Sequence, residues 1–421
     1  MRPIQKQHRR CCGLDIHKDS VVACILPADG ASGVVIRKVY GTFRKDLTRM
    51  RGWLKNLRVT EIAMESTGVY WRPVWNVLDE QGFGLLLVNP AQVKALEGRK
   101  SDRRDAQRIA EFLQDGRLDA SFVPPREIGE LRQLPRHRVS LLQQRGQVRN
   151  HIRDLFESAS IKLSSVASDL FGVTGRGIME AMIAGQSCPD RLSWKVRGSL
   201  RKKEKQVRES LKGCFQEFHR RMPQAYYEQY QFPSRQIEAF EAEIERCLQP
   251  YRQQLALLVT IPGVDRVVAW HLIAELGVDM TVFPDAAHCA SWAGLSPGSC
   301  ESAGKKFSSR TKKGNKYLRR ILTQAAWAAA RTKQGYLPAF FQRVKARRGW
   351  GRAAFALAHK ILVIAYSMLK TGTPYQDLGS DYFDRRNPGR TARRLVERLQ
   401  RLGVKVTIVP ATTLTPRFQA G

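Results

Sequence analysis

Two aspartates three residues apart, Asp102 and Asp105, lie in the basic segment KSDRRDAQRIAEFL at residues 100–113. On a helix, residues three apart lie on the same face, about one turn from each other. Two carboxylates in this arrangement, surrounded by lysine and arginine, are either a solvated charged surface or half of a metal site that acts on phosphate. The acids elsewhere in the chain help to decide between these interpretations.

Two further acids lie in apolar segments far from this pair. Asp15 lies in the run CCGLDIH, and Glu65 ends the run TEIAME. A carboxylate inside an apolar strand is costly to bury without a partner, which favours a functional role for Asp15. Glu65 has a structural alternative, because an acid at this position can stabilise the N-terminus of the following helix. Asp102 and Asp105 could likewise be ordinary acids of a first helical turn.

Together the four acids have the composition of a divalent metal site. Four carboxylates around one point repel each other and stay ionised only when cations neutralise them. Hard oxygen ligands suit Mg²⁺ or Mn²⁺. Two such ions about 4 Å apart can activate an attacking oxygen and stabilise a leaving oxygen in phosphoryl transfer. The predicted cofactor is therefore a pair of Mg²⁺ or Mn²⁺ ions.

The segments around these acids predict an α/β domain over residues 1–125. Alternating apolar runs predict the order β-β-β-α-β-α-β-α, in which the fourth strand ends at Glu65 and the next helix is capped by Ser66 or Thr67. Three antiparallel strands followed by βα units form the ribonuclease H-like (RNase H-like) layout. In that layout the first and fourth strands lie side by side, so that all four acids would converge at one edge of the sheet.

The rest of the chain changes to helical patterns. Residues 126–255 contain two long amphipathic segments with leucines at near-heptad spacing, which predict a helical, coiled-coil region that links domains and mediates oligomerisation. Residues 256–375 predict a mostly α-helical third domain. Residues 376–421 are rich in arginine and proline and predict a basic peripheral tail.

The overall charge points to a polyanionic partner. The chain has 421 residues and a formal net charge of +33, and such an excess favours nucleic acid first and an anionic membrane surface second. Residues 301–350 carry fourteen lysines and arginines and one acid, whereas a solvated helix face normally mixes both signs. This bias favours contact with the phosphates of DNA or RNA by Lys305, Lys306, Arg310, Lys312, Lys313, Lys316, Arg319 and Arg320.

Targeting and redox features predict a soluble cytoplasmic protein without a membrane partner. The longest apolar stretch, AAFALAHKILVIAYSML, is interrupted by His359 and Lys360, which argues against a membrane span. The basic N-terminus lacks an apolar core of signal-peptide length. Eight scattered cysteines without a CxxC pair fit reduced thiols.

Six motifs in this order resemble those of a known family. They lie within residues 11 to about 335 and read GLDIHKDS, AMESTGVYW, KSDRRDAQRIAEFL, IPGV with AWHLIAELG, WAGLSPGSCESAGK and KKGNKYLRRIL. The chain resembles the DEDD transposases of bacterial insertion sequences, a group also described as bridge-RNA-guided recombinases. The resemblance implies a RuvC-like nuclease domain, a coiled-coil middle and a C-terminal transposase domain, in a nucleoid-associated bacterial protein.

The same resemblance implies roles for residues and partners. The four acids would bind the metal ions, and Ser302 would be the nucleophile that forms a covalent phosphoserine link to DNA. A homo-oligomer, either a dimer or a tetramer, would act on donor and target DNA, with a structured guide RNA choosing both. The chain departs from the family pattern at Ala303, where glycine is common, and at Asp265, where a glycine is usual in a phosphate-binding turn.

Chemistry alone leaves the nucleophile and the function open. A serine hydroxyl needs a base or a metal to attack phosphorus. A recombinase would use both the acids and the serine, a junction-resolving nuclease would use the acids alone, and a non-catalytic DNA- or RNA-binding scaffold would use only the basic surface. The alternative nucleophiles in the same region are Ser296, Ser299, Ser308, Ser309 and Tyr317.

Overall fold

The protein is described here by a computed structural model with two compact units, Met1–Val123 and Pro124–Gly421. For residues 220, 300–302 and 305–308 the backbone alone is described. The predicted division into four segments stays a prediction. The described residues are 10–27, 34–80, 82–90, 92–93, 105–214, 217–297, 300–302, 305–308, 311 and 314–407.

The first unit is an α/β domain, as predicted. Its five-stranded sheet has the order β3-β2-β1-β4-β5, in which the first three strands are antiparallel neighbours and β1, β4 and β5 run parallel. The helices and strands are β1 Cys11–Ile16, β2 Ser20–Ile25, β3 Ile36–Gly41, α1 Arg44–Asn56, β4 Glu61–Glu65, α2 Trp71–Asp79, β5 Gly84–Val88 and α3 Asp105–Gln114.

The sheet is covered on both faces, and its central strand β1 shows why. Side chains alternate along a strand, so Cys12 and Leu14 lie on one face and pack in a core with residues of α1 and α2. Cys11 lies on the opposite face and packs in a second core with Ile109 and Leu113 of α3. The apolar runs that predicted the strands are therefore the two inner faces of this domain.

The predicted cap of α2 is wrong. The helix begins at Trp71 with Tyr70 at the N-cap position, not at Ser66 or Thr67. Ser66 still belongs to the sheet edge, because its backbone N–H donates to the carbonyl oxygen of Val88 at 2.9 Å. Gly68, with a φ of 57°, then turns the chain toward the helix.

The second unit is mostly helical. It also contains short 3₁₀ turns and a two-stranded hairpin, β6 Cys300–Ser302 and β7 Lys305–Ser308. Its α-helices are α4 Arg126–Leu131, α5 Gln133–Ser158, α6 Leu163–Val166, α7 Val173–Ile183, α8 Pro189–Ser193, α9 Glu204–Ser210, α10 Phe218–Cys247, α11 Arg252–Val259, α12 Arg266–Leu276, α13 Ala286–Trp292, α14 Lys316–Ala330, α15 Tyr336–Arg348, α16 Trp350–Thr371, α17 Tyr382–Arg385 and α18 Pro388–Arg401.

The two longest helices pack antiparallel. The ring of His137 in α5 lies 4.8 Å from the ring of Phe240 in α10, and the ring of His151 lies 5.4 Å from that of Tyr226. As the residue number rises along α5, the residue number of the contact in α10 falls, so the two helices run antiparallel. One predicted amphipathic segment corresponds to α5, and the other, residues 234–258, covers the second half of α10 and continues into α11. The predicted coiled coil stays a prediction.

One helix among the described residues, α16, is long and apolar enough to cross a membrane by length and composition. The interruption at His359 and Lys360 therefore does not exclude a span by itself. Half of the most apolar window of α16 is buried inside the unit, and Leu357, Ile361 and Leu362 have no exposed surface. A core helix of a folded domain meets the same criteria, so the helix is weak evidence for a membrane.

Candidate carboxylate site and serine hairpin

Asp15 and Glu65 lie on neighbouring strands at the same level of the sheet. The parallel register pairs Leu14 of β1 with Met64 of β4, so Asp15 and Glu65 are the next pair along. The side chain of Asp15 is 22% exposed, and its Oδ2 lies 3.1 Å from Nε2 of His17. Thr67 donates its hydroxyl to Oε2 of Glu65 at 3.3 Å. Both carboxylates thus have local partners at the carboxyl ends of two central strands.

Strand alternation places these two acids on the face that α3 covers. Asp15 lies four residues after Cys11, and Glu65 lies two residues after Ala63. Cys11 and Ala63 both belong to the core that contains Ile109 of α3, and residues an even number apart share a face. The sequence reasoning identified the neighbouring strands, and the register adds that both carboxylates lie on the α3 side.

Asp105 is the first residue of the helix that covers this face. The helix backbone approaches β1 so closely that a Cβ atom added at Gly13 would lie 2.0 Å from the carbonyl oxygen of Ala106 and 2.5 Å from the amide nitrogen of Ala110. The Asp105 carboxylate lies 4.0 Å from the Arg108 guanidinium, and its side chain is 40% exposed. Glycine at position 13 therefore sets the distance between α3 and the strand of Asp15.

The chemistry of these acids fits hard divalent cations, which prefer carboxylate oxygens. Asp102, the fourth predicted ligand, lies outside the described residues. Within the part of the chain that is described, no three His, Cys, Asp or Glu side chains come together as a metal-binding group. The fold brings Asp15, Glu65 and the helix that begins at Asp105 to one face, and a complete ligand set stays a prediction.

Replacing Gly13 with alanine is expected to lower the free energy of unfolding of the protein by about 3 kcal/mol, because overpacking against backbone atoms is costly. The measurement is urea unfolding followed by circular dichroism. The control is Gly52→Ala in α1, where an added Cβ meets nothing within 4 Å and the helix should gain slightly. Equal stability of the two variants would contradict the close approach of α3 to β1.

Ser302 lies at the end of β6, where it pairs with Lys305 of the antiparallel strand β7. A further bridge joins Pro297 to Thr311. We use the name serine hairpin for the segment 295–313, of which the structure describes residues 295–297, 300–302, 305–308 and 311. The two residues that flank this segment, Gly294 and Gly314, are called its roots. They are in contact, since a Cβ atom added at Gly314 would lie 2.4 Å from the amide nitrogen of Gly294. The predicted nucleophile, Ser302, therefore belongs to a segment whose two flanking glycines are in contact.

The predicted basic contacts divide between this hairpin and the helix after it. Lys305 and Lys306 belong to β7, where the backbone alone is described. Arg319 in α14 donates to the hydroxyl of Thr311 at 3.3 Å, and Lys316 and Arg320 lie in the same helix. The members of the set outside the described residues are Arg310, Lys312 and Lys313.

Tyr317 packs between cations. Its ring lies 4.5 Å from the guanidinium carbon of Arg136 and 5.2 Å from Nζ of Lys316.

Asp265 caps α12, because its carboxylate accepts the backbone N–H of Val268 at 2.8 Å. That N–H is therefore already engaged at the turn where the sequence departs from the phosphate-binding pattern.

A buried charge that the sequence reasoning missed lies next to Asn315, the residue that caps α14. Glu275 in α12 has no exposed surface, and its neighbour His271 is 1% exposed. Burial lowers the pKa of His271 to about 4, and the nearby arginines act in the same direction while Glu275 opposes them. The available signal was the pair of polar residues inside the apolar run AWHLIAELG.

Comparisons with known proteins identify two matching regions. Residues 12–161 match the DEDD transposases of IS110, described as a transposase family, and residues 255–342 match the family described as Transposase IS116/IS110/IS902. The first region contains the four acids and the second contains Ser302. The two profiles therefore cover both parts of the candidate site.

Individual relatives match about a third of the chain. The pilin gene-inverting protein of Moraxella bovis is 31% identical over 139 residues, which cover 32% of this chain and 42% of the relative. The same-named protein of Moraxella lacunata gives the same values. The insertion element IS110 uncharacterized 43.6 kDa protein of Streptomyces coelicolor is 31% identical over 144 residues, which cover 34% of this chain and 35% of the relative. Each match spans less than half of the relative's length.

Proposed function

We propose that this chain, which belongs to the IS110 family of DEDD transposases, is a DNA recombinase that cuts and rejoins the DNA of an insertion sequence. The proposal assigns metal binding to Asp15, Glu65, Asp102 and Asp105 and nucleophilic attack to Ser302. The observation that carries it is the sheet register, which puts Asp15 and Glu65 on the face covered by the helix of Asp105.

The topology supports a RuvC-like, RNase H-like assignment for the first unit. Its strand order, three antiparallel strands followed by two parallel ones, is the layout predicted for such a domain. Polar residues at the carboxyl ends of neighbouring parallel strands are a common position for active sites in α/β sheets. Asp15 and Glu65 occupy that position, which favours metal binding over simple helix capping.

The serine step conserves the phosphodiester bond energy. The Ser302 Oγ loses its proton and attacks a DNA phosphorus, the bond from phosphorus to one deoxyribose oxygen breaks, and that oxygen takes up a proton and leaves as a hydroxyl. The result is a phosphoserine ester. A deoxyribose hydroxyl of the second DNA then loses its proton and attacks the same phosphorus, the bond from phosphorus to Oγ breaks, and Ser302 takes up a proton to become a hydroxyl again.

The four carboxylates would hold a pair of Mg²⁺ or Mn²⁺ ions, which supply Lewis acidity to phosphoryl transfer when bound. The basic residues of the serine hairpin and α14 bind the phosphates of the two DNAs. A structured guide RNA selects both DNAs, and the net charge of +33 supports polyanionic partners. The long helices α5 and α10 provide a coiled-coil surface for a dimer or tetramer.

A structure-specific nuclease of the junction-resolving type is the second candidate. It would need the acids and the basic surface but no serine chemistry. The match of residues 255–342 to a transposase family and the names of the pilin gene-inverting relatives, which describe DNA inversion, favour the recombinase.

The test is recombination between two plasmids, one with the element's ends and one with a target, in the presence of RNA transcribed from the element's flank. Joined plasmids that need both Mg²⁺ and the RNA are the expected result. Reactions with EDTA or with an unrelated RNA are the controls. Cleaved plasmids that are never joined would reject the recombinase and favour the nuclease.

A further inference from the structure

Glu275 is a buried carboxylate whose partners come from two separate parts of the second unit, the start of α5 and the residue before α14. Arg136 of α5 donates to its two oxygens from Nε and Nη2, each at 2.7 Å. Asn315 donates its side-chain amide to Oε2 at 2.5 Å. Arg132 lies 3.4 Å away and also donates to the backbone carbonyl oxygens of Ala274 and Glu275. The buried charge is thus fully partnered.

Asn315 links this carboxylate to the end of the serine hairpin. Its side-chain oxygen accepts the backbone N–H groups of Tyr317 at 3.0 Å and Leu318 at 3.1 Å, which caps α14. Its side-chain nitrogen donates to Glu275, so both ends of the amide are fixed. Asn315 directly follows Gly314, the root of the hairpin that touches Gly294. Glu275 therefore contacts the residue that caps α14, directly after Gly314.

Buried ion pairs are poor contributors to stability, because desolvation offsets most of their attraction. Such groups can instead select one geometry over others. Here the selected geometry is that of the hairpin root. The carboxylate accepts charge-assisted hydrogen bonds in fixed directions, whereas an apolar side chain of similar size would leave the side-chain nitrogen of Asn315 without this acceptor.

We propose that Glu275 is a positioning residue, which acts through Asn315 to hold the serine hairpin in the orientation that presents Ser302 to DNA. This inference rests on the proposed function of Ser302. Arg136 extends the same connection to α5, so the long helix and the serine hairpin share one hydrogen-bonded chain of three side chains. No step of the reaction is assigned to Glu275 itself.

The test compares Glu275→Gln with the matched variant Glu241→Gln. Glu241 also accepts a hydrogen bond from an arginine of α5, since Nη2 of Arg138 lies 2.6 Å from its Oε1. Glu241 lies in α10, however, and does not contact Asn315. The first readout is the rate of covalent protein–DNA adduct formation, expected to fall about tenfold in Glu275→Gln and little in Glu241→Gln. The second readout is the melting temperature of each variant.

The third readout needs no DNA. The serine hairpin contains the trypsin sites Lys305, Lys306, Arg310, Lys312 and Lys313, and cleavage there is followed by mass spectrometry on the folded, full-length protein. We expect faster cleavage within the hairpin in Glu275→Gln than in Glu241→Gln. This readout separates the inference from the proposed function, because it reports the hairpin even when wild type forms no adduct.

A rescue variant distinguishes positioning from general packing. In Glu275→Gln combined with Asn315→Asp, the amide and the carboxylate exchange places, so a hydrogen bond between the two positions and the cap of α14 can both form. Recovery of the adduct rate and of trypsin resistance in this double variant supports positioning. If Glu275→Gln does not fold, Asn315→Ser keeps the cap, is too short to reach Glu275 and receives the same assays.

Two results would overturn the inference. One is an adduct rate and hairpin cleavage in Glu275→Gln equal to those of wild type. The other is an equal loss in Glu275→Gln and Glu241→Gln, which would assign both to the packing of α5. A wild-type protein that forms no adduct would reject the serine mechanism, and the trypsin comparison alone would then decide whether Glu275 anchors the hairpin.

Discussion

Replacing Asp15 with asparagine is expected to reduce strand cleavage of DNA by about a thousandfold or more, since a lost metal ligand removes several kcal/mol of transition-state stabilisation. Asparagine has the same shape but lacks the negative charge that a divalent cation needs. The native side chain is only 22% exposed and its one described polar partner is His17, so the fold should tolerate the change.

The measurement is the initial rate of nicking of a labelled DNA substrate over a range of Mg²⁺ and Mn²⁺ concentrations. Asp19→Asn is the matched control, because Asp19 is an exposed acid in the turn between β1 and β2. We expect Asp19→Asn to cleave at nearly the wild-type rate. Nicking by Asp15→Asn at the wild-type rate would remove Asp15 from the proposed ligand set.

The sequence was sufficient to predict the α/β unit, because the strands of a sheet covered on both faces are apolar runs whose lengths and order are local properties. Cys11, Leu14 and Ile62 are all fully buried, as the runs around Asp15 and Glu65 required. The adjacency of the first and fourth strands followed from the predicted layout, and the register that places both acids on the α3 face came only from the structure.

The start of α2 and the environment of Glu275 were not predictable in the same way. Ser66 is a good helix cap by local preference, but its backbone pairs with β5, a tertiary bond that outweighs the preference. Glu275 finds Arg136, 139 residues away, and no local pattern encodes such a pairing. Residues held by distant partners are therefore the part of the site that sequence reasoning misses.

Replacing Ser302 with alanine is expected to abolish the covalent protein–DNA adduct and to lower the rate of strand joining by about a thousandfold or more, as loss of a nucleophile does in other enzymes. Alanine lacks the Oγ atom that would form the phosphoserine ester. The backbone of β6 ends at this position and pairs with Lys305, and alanine can keep that pairing. DNA binding through the basic residues should therefore remain.

The adduct is trapped by denaturing gel electrophoresis after reaction with labelled DNA, and its attachment site is identified by mass spectrometry. Ser296→Ala, Ser308→Ala and Tyr317→Phe are the controls, since each removes a competing hydroxyl from the same region. An adduct that persists in Ser302→Ala but disappears in one of these variants would move the nucleophile to that residue. Cleavage that continues in Ser302→Ala with no adduct in any protein would leave the acids as the whole active site, because a nuclease that activates water needs no protein nucleophile.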